Sequence, residues 1–255
     1  MIRVAIAGPR GNMGKEAVKM VMMSSNFDLI AVLDSKETMI PFSCPVFTDL
    51  DQLITECQPD VLVDLTSPEL GMKHTTLALE NKVHAVVGTT GFSERDLEKL
   101  KNLCEHHQVG CIIAPNFSIG AVLMMKFAEQ AARYMSDVEI IEMHHDRKLD
   151  APSGTALKTA EMIGTLREPH QQGHPDEKET HPGARGASLD GIRLHSVRLP
   201  GLVAHQQVLF GGNGQLLTLR HDSFNRESFM PGVALCIEEV MKRNTFIYGL
   251  EHLID

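Results

Sequence analysis

Strand-like and helix-like patterns alternate over residues 1–115, and this alternation restricts the fold more than any other feature of the sequence. The run IRVAIA at 2–7 is short and apolar, as in strands that are buried on both faces of a sheet. Behind it, NMGKEAVKMVM spaces its apolar residues as a helix does. Further strand patterns lie at 27–34, 60–66, 84–90 and 111–116, with a short one near 45–47, and further helix patterns lie at 69–81 and 93–107. The alternation predicts an α/β fold with a doubly wound parallel sheet.

After Pro115 the pattern changes to that of a second, mixed α/β domain. A helix is predicted at 119–135, a strand with one solvated face at 137–145 and a helix at 154–166. Three later runs, separated by glycine turns, favour antiparallel strands of an open sheet; they lie at 192–201, 204–212 and 214–222. We therefore expect one domain from residues 1–115 and 225–255 and a second from 116–224.

Two segments of the second half have patterns of their own. Residues 167–190 are rich in Pro, Gly, His and charge, which predicts a long mobile surface loop or a lid. A last helix is predicted at 226–242 and is expected to pack back onto the first domain through an apolar stripe; the stripe consists of Phe229, Val233, Ile237 and Val240. The crossings near 115 and 225 are then expected to act as hinges.

Composition narrows the classes of function. The net charge of −9 repels a phosphate backbone, so we expect no nucleic-acid partner. Neither a membrane-length apolar run nor the basic and apolar regions of a signal peptide is present, which predicts a cytoplasmic protein without a membrane partner. The five cysteines form no C-x-x-C pair and favour buried free thiols in a reducing compartment. The loop histidines lack partners at ligand spacing, so no metal site is expected.

The glycine cluster GPRGNMG at 8–14 directly follows the first strand and opens the first helix. Gly8, Gly11 and Gly14 let the backbone approach a pyrophosphate, and the helix start offers free N–H groups. Asp34 ends the second strand, where an acidic side chain accepts hydrogen bonds from an adenosine ribose. The motif GTTG at 88–91 could line the nicotinamide end of a dinucleotide. The alternative is that the glycines serve tight turns only.

The segment HHDRKLDAPSGTAL at 144–157 combines proton donors with an anion site. His144 and Lys148 can each give a proton to a substrate that accepts a hydride. Ser153, Gly154 and Thr155 present hydroxyl and N–H groups at a helix start, which suits the carboxylate of a small acidic substrate. The alternative is that Ser153 only caps the helix, a role compatible with the first.

Motifs spread over nearly the whole chain resemble those of the 4-hydroxy-tetrahydrodipicolinate (dihydrodipicolinate) reductase family. They are AGPRGNMG, VLVDLTSPE, VVGTTGF, APNFSIG and EMHHDRKLDAPSGTAL, the last of which follows the pattern E-x-H-H-x-x-K-x-D-A-P-S-G-T-A. The resemblance implies a Rossmann domain, a mixed α/β domain for substrate binding and oligomerisation, and a homotetramer. It also implies NADH- or NADPH-dependent reduction of the ring at C4, in lysine and diaminopimelate biosynthesis.

The resemblance also implies roles for individual residues. His144 falls at the proton donor and Lys148 at the activating lysine. The positions that hold the two substrate carboxylates are His145, Lys148, Ser153, Gly154 and Thr155. The cofactor-binding stretches contain Gly8, Arg10, Gly11, Asn12, Met13, Gly14, Asp34, Gly88, Thr90, Ala114, Asn116 and Phe117.

The residues around Asp34 predict the choice between NADH and NADPH. Asn12 and Ser35 stand where some family members carry arginines, and Asp34 by itself repels a 2'-phosphate. Lys36 and Arg10 could reach that phosphate and offset the repulsion. We therefore expect both cofactors to be used, with NADH equal or modestly favoured.

Two other functions remain open from the sequence. A dehydrogenase of the aspartate or homoserine type shares the Rossmann domain, although the HHDRKLDAPSGT motif argues against it. A redox-sensing protein would bind NAD(P)H only as a signal and would not need proton donors beside an anion site.

Overall fold

The computed structural model describes residues 1–35, 43–168 and 170–254 of the chain. These fold into two compact units, the first formed by Met1–Ile119 with Arg226–Asp255 and the second by Gly120–Asn225. The boundaries predicted from the sequence lay after residues 115 and 224. Within the described ranges, no helix is both long and apolar enough to cross a membrane.

The strands and the helices are numbered separately in chain order. The strands are β1 (Ile2–Ala7), β2 (Phe27–Leu33), β3 (Val46–Phe47), β4 (Val61–Asp64), β5 (His84–Val87), β6 (Cys111–Ile113), β7 (Asp137–His144), β8 (Ala187–Leu189), β9 (Ile192–Arg198), β10 (Ala204–Gly212), β11 (Gln215–Ser223) and β12 (Phe246–Tyr248). The helices are α1 (Asn12–Met23), α2 (Leu50–Cys57), α3 (Pro68–Glu80), α4 (Glu94–His107), α5 (Ile119–Ala132), α6 (Gly154–Leu166) and α7 (Met230–Val240).

The first unit is built on a parallel sheet, which confirms the predicted doubly wound fold. Its order in the described part of the chain is β12-β6-β5-β4-β1-β2-β3, and each neighbouring pair is parallel. Every residue of β4 is buried, as expected of a strand covered on both faces. The carboxyl ends of β1, β2 and β4 meet at one edge, where ligands bind in such sheets.

Two elements of the first unit were not predicted. Helix α2 is only eight residues long and begins after Asp49, whose carboxylate accepts from the Gln52 N–H. Strand β12 has three residues and pairs with β6. Both are shorter than the windows in which periodicity becomes visible.

The second unit contains a mixed sheet in the order β11-β10-β7-β9-β8. Strand β10 is antiparallel to β7 and β11, and β9 is parallel to β7, so β9, β10 and β11 alternate in direction as predicted. The sequence did not predict that β7 lies between β9 and β10 and pairs with β9 in parallel. The connection from β7 to β9 includes α6 and the segment 167–190. A crossover of this length permits parallel pairing, which a hairpin does not.

The segment predicted as a mobile loop or lid is fixed at several points. Arg185 pairs with Glu139 of β7 at 2.6 Å and with Glu177 at 3.0 Å. The buried Arg167 donates to the carbonyl oxygens of Ser136 and Asp190, both at 2.8 Å. Near the end of the segment, residues Ala187–Leu189 form β8. The described part of the segment is therefore joined to the sheet by polar contacts.

The last helix packs within the first unit, as predicted. Residues Arg226–Phe229 form a 3-10 turn, and α7 follows with Val233, Ile237 and Val240 fully buried. A Cβ atom at Gly232 would lie 1.9 Å from the Phe117 carbonyl oxygen, so α7 lies directly against the chain after β6. The hinges near 115 and 225 stay a prediction.

Candidate active site

The glycine loop between β1 and α1 has a geometry that only glycine permits at two positions. Gly8 has a φ of 81°, and a Cβ atom at Gly14 would lie 2.0 Å from the Gly8 carbonyl oxygen. Gly11 is the N-cap of α1 and has no side chain to bond the first N–H groups of the helix. These groups therefore remain available to an anion.

Asp34 and Arg10 form a bidentate ion pair beside this loop. The Asp34 side chain is 5% exposed, and the Arg10 Nε and Nη2 atoms both donate to its carboxylate. The hydrogen bond to Asp34 raises the pKa of Arg10. The positive charge of Arg10 is thus largely neutralised by the Asp34 carboxylate. Lys36, the other predicted phosphate contact, lies outside the described residues.

A cavity of about 570 Å³ joins the glycine loop to the start of α3. Four of the predicted cofactor residues line it, namely Gly8, Arg10, Gly11 and Asp34. A close glycine backbone, a helix start and a carboxylate at the end of β2 are the groups that fit a pyrophosphate and a ribose. The cradle therefore fits a dinucleotide.

The same cavity contains residues that sequence reasoning missed. His74 and Thr66 line it, and the His74 Nδ1 atom lies 2.7 Å from a carboxylate oxygen of Asp64. The buried Asp64 also accepts from the Thr66 hydroxyl at 2.6 Å. The available signal was an acid at the end of an apolar strand, in VLVDLTSPE, with a histidine on the following helix.

The remaining predicted cofactor residues lie at the start of α1 and in the segments that follow β5 and β6. Asn12 and Met13 begin α1, and Thr90 is exposed after β5. A Cβ atom at Gly88 would lie 2.7 Å from the ring of Phe117, which is buried, as is Ala114. The Asn116 side chain accepts from the Ser118 N–H at 2.9 Å. None of these residues lines the cavity above, as far as the described residues define it.

In the second unit, Glu142 connects the residues of the HHDRKLDAPSGTAL segment. His144 ends β7, and its Nδ1 atom lies 2.5 Å from Glu142 Oε2. The Glu142 side chain is fully buried, which by itself would raise its pKa. Hydrogen bonds from His144, Arg198 and Ser196 outweigh the burial and lower the pKa of Glu142 to about 2. A carboxylate is thus buried beside the predicted proton donor.

Lys148 is paired with a neighbour in its own loop. Its Nζ atom donates to both Asp150 oxygens, at 2.8 and 2.9 Å, and the Lys148 ammonium lowers the pKa of Asp150. Its side chain is 21% exposed. An anionic ligand would therefore compete with Asp150 for this ammonium.

The start of α6 is capped by Ser153 and has open space beside Gly154. The buried Ser153 is the N-cap, and its hydroxyl accepts from the Ala156 N–H at 3.3 Å, so the capping alternative holds for this residue. A Cβ atom at Gly154 would meet none of the described atoms within 4 Å. Thr155 follows in the first turn, and His145 has a buried Nδ1 atom without a hydrogen-bond partner among the described groups. The helix start thus presents N–H groups with room for a ligand.

Fold and site together define a class of protein. A nucleotide-binding Rossmann unit, joined in one chain to a unit with a histidine, a lysine and a helix start that has room for a ligand, is the organisation of a pyridine-nucleotide-dependent oxidoreductase. Among the described residues, no cluster of His, Cys, Asp and Glu is arranged to hold a metal ion.

Comparison with known proteins identifies the family. The family model described as "Dihydrodipicolinate reductase, N-terminus" matches residues 2–117, and the model described as "Dihydrodipicolinate reductase, C-terminus" matches residues 120–254. The chain belongs to the dihydrodipicolinate reductase family.

Named relatives are similar over their full length. Proteins of Bacillus velezensis and Shouchella clausii, both called 4-hydroxy-tetrahydrodipicolinate reductase, are 61% and 59% identical; the alignments cover 100% of this chain and 98% and 100% of theirs. A solved structure of dipicolinate-bound dihydrodipicolinate reductase from Paenisporosarcina sp. TG-14 is 58% identical, covers 100% of both chains and has a TM-score of 0.95. An amine dehydrogenase from Mycobacterium smegmatis, 12% identical over 98% of this chain and 95% of its own with a TM-score of 0.68, shares the fold.

Proposed function

We propose that this chain reduces 4-hydroxy-tetrahydrodipicolinate to tetrahydrodipicolinate in lysine and diaminopimelate biosynthesis. The observation that carries the proposal is the cluster of Glu142, His144 and the start of α6, which joins a proton donor to an anion site. Relatives that are 59–61% identical have the corresponding name, and a 58% identical protein was solved with dipicolinate, a planar dicarboxylate.

The chain's own residues bind the substrate and supply the proton. When held at Gly8, Gly11 and Asp34, NADH or NADPH would supply the hydride for ring C4, from which the 4-hydroxyl is lost as water. Lys148, His145 and the Ser153–Thr155 helix start hold the two carboxylates, because an ammonium and oriented N–H groups stabilise anions. The Lys148 ammonium leaves the Asp150 carboxylate and binds a carboxylate of the substrate instead. His144 gives the proton that the resulting enamine needs.

We propose that both NADH and NADPH are used, with NADH equal or modestly favoured. Asp34 at the end of β2 can accept from the ribose hydroxyls of NADH. Its pairing with Arg10 lowers the charge that a 2'-phosphate would meet. The pair therefore reduces the repulsion of NADPH without removing the acceptor for NADH.

We also propose a homotetramer in the cytosol. The nine-residue strand β11 is an edge of the second unit's sheet, and Leu216 on it is 67% exposed. Such an edge favours pairing with another chain. All five cysteines are free thiols, which suits a reducing compartment.

The proposal is tested by NADH oxidation with freshly made product of dihydrodipicolinate synthase as substrate. Turnover with this substrate, and none with aspartate semialdehyde, is expected. NADH oxidation with aspartate semialdehyde alone would favour the rival dehydrogenase, because that enzyme reduces this aldehyde to homoserine. NADH binding without turnover of any of them would favour the redox sensor.

Variants test the residue roles. His144→Ala and Lys148→Ala should each lower kcat by roughly 100- to 10,000-fold, the usual contribution of general acid catalysis, with NADH affinity unchanged. Near-normal turnover of both variants would contradict these roles.

A further inference from the structure

We infer that Glu142 is a positioning residue, whose buried carboxylate holds the proton donor and the substrate's anion site in one arrangement. The inference rests on the proposed function of His144 and of the start of α6. Glu142 itself is fully buried and therefore acts through the groups that it binds.

The carboxylate of Glu142 is surrounded by hydrogen-bond donors. Oε2 accepts from the Arg198 Nη1 atom at 2.8 Å and lies 2.5 Å from His144 Nδ1. Oε1 accepts from Arg198 Nη2 at 2.7 Å and from the Ser153 N–H at 3.2 Å. Each oxygen therefore receives at least two donors.

This arrangement requires a carboxylate and excludes an amide. A glutamine has one oxygen and one NH2 group, and the NH2 group cannot accept a hydrogen bond. In one orientation the NH2 group would face Arg198 and His144, and in the other it would face Arg198 and Ser153. Because the site is buried, water cannot restore the lost bonds without rearrangement. Glu142→Gln must therefore displace at least one of these groups.

The contact with His144 determines which ring nitrogen can act on substrate. Glu142 accepts from Nδ1–H, which leaves Nε2 as the remaining nitrogen. The acid form is then the imidazolium, which breaks its Nε2–H bond as the proton passes to the substrate enamine. The neutral ring that remains keeps its proton on Nδ1, where Glu142 accepts it. A carboxylate behind a catalytic histidine commonly fixes the tautomer in this way.

The same carboxylate also fixes the loop between His144 and Ser153. Its partner Arg198 donates from Nη2 to the Asp150 carbonyl oxygen at 2.7 Å. Glu142 thus bonds both ends of the loop directly and its middle through Arg198. The position of the α6 start relative to His144 follows from these contacts.

Glu139 on the same strand provides a matched control. It also accepts from an arginine, Arg185 at 2.6 Å, and it also lies 2.8 Å from a histidine, His195. An odd number of positions separates it from Glu142, so it lies on the other face of the sheet. Glu139→Gln therefore removes a similar cluster away from the 144–153 loop.

The experiment compares wild type with Glu142→Gln, Glu142→Asp and Glu139→Gln. We expect Glu142→Gln to lower kcat by roughly 10- to 1,000-fold and to raise the substrate KM, with NADH affinity within about twofold of wild type. Glu142→Asp keeps the charge and should recover part of kcat. Glu139→Gln should keep kcat and KM within about twofold. In proton–nitrogen correlation spectra, assigned with His144→Gln, the wild-type His144 ring should carry its neutral-state proton on Nδ1 and lose this preference in Glu142→Gln.

A second variant covers loss of folding. The double variant Glu142→Gln/Arg198→Met also removes the guanidinium that would otherwise lose its carboxylate partner, so folding should be less affected. It still lacks the carboxylate beside His144. A folded double variant with low kcat supports the inference, and one with wild-type kcat and an unchanged His144 signal overturns it. An equal loss of kcat in Glu139→Gln would also overturn it, because the effect would then be general. If wild type lacks the reductase activity, the proposed function fails, and the His144 spectra still decide whether Glu142 sets the tautomer.

Discussion

At the scale of single residues, the chemistry of the site depends on pairs that the sequence does not reveal. The motifs predicted that Asp34, His144 and Ser153 matter. They did not predict that Arg10 would pair with Asp34 or that Arg198 would pair with Glu142, 56 positions away. Such pairs form only when the fold brings distant elements together, so no local pattern encodes them.

The Arg10–Asp34 pair leads to a prediction about cofactor choice. Arg10→Gln removes the cation that neutralises the Asp34 carboxylate, so this carboxylate should repel the 2'-phosphate more strongly. We therefore expect kcat/KM with NADPH to fall roughly tenfold more than kcat/KM with NADH. The difference should shrink at high ionic strength. Steady-state kinetics with both cofactors measure it, with Lys36→Ala as a companion variant. An equal loss with both cofactors would contradict this role of Arg10.

The buried Glu142 carboxylate predicts a dependence of stability on pH. Its pKa is lowered from 4.5 to about 2 in the folded protein. A lowered pKa contributes stability that is complete above the unfolded value and is lost as the pH falls through the folded value. The shift corresponds to about 3 kcal/mol, lost between pH 4.5 and pH 2.

Denaturant titrations of wild type and Glu142→Gln at several pH values measure this contribution. Wild type should be more stable at pH 6, and the difference in unfolding free energy should narrow steadily below pH 4.5. A difference that stays constant down to pH 2.5 would mean that Glu142 does not titrate in this range.

At the scale of elements, the predictions that were confirmed rest on long local patterns. Helix α6 was predicted at 154–166 and spans Gly154–Leu166. The parallel pairing of β9 with β7 could not be predicted, because pairing depends on which distant strand it meets and not on its own residues. Periodicity thus identifies an element, and its partners are decided by the tertiary fold.

Two helical glycines should respond oppositely to alanine. A Cβ atom at Gly14 in α1 would lie 2.0 Å from a backbone oxygen, so Gly14→Ala must displace the helix from the glycine loop. We expect a loss of ~1–3 kcal/mol of stability, with weaker NADH binding. A Cβ atom at Gly164 in α6 would meet no described atom within 4 Å, so Gly164→Ala should stabilise by ~0.5–1 kcal/mol. Denaturant midpoints and NADH titration measure both, and a wild-type midpoint for Gly14→Ala would contradict the close packing.

At the scale of the whole molecule, the second unit's sheet has an edge strand and a face whose apolar side chains are partly exposed to solvent. This edge strand is β11. The cross-strand register places Leu209 and Thr218 opposite each other, and Leu216 lies two positions from Thr218 on the same face. Ile141 and Met143 of β7 are also half-buried. A second copy of the chain would cover apolar area that this unit leaves in water.

The tetramer proposal therefore predicts a specific effect of Leu216→Asp. Leu216 is 67% exposed, so the fold of the chain itself should tolerate the change, whereas a carboxylate buried between subunits without a partner is costly. Sedimentation of wild type should give about four times the chain mass of 28.2 kDa, and Leu216→Asp should shift the distribution to smaller species. Met23→Asp is the matched control, because Met23 is 77% exposed at the end of α1 in the other unit and lies outside the sheet. A wild-type monomer at micromolar concentration would refute the tetramer, and an unchanged tetramer in Leu216→Asp would remove β11 from its interface.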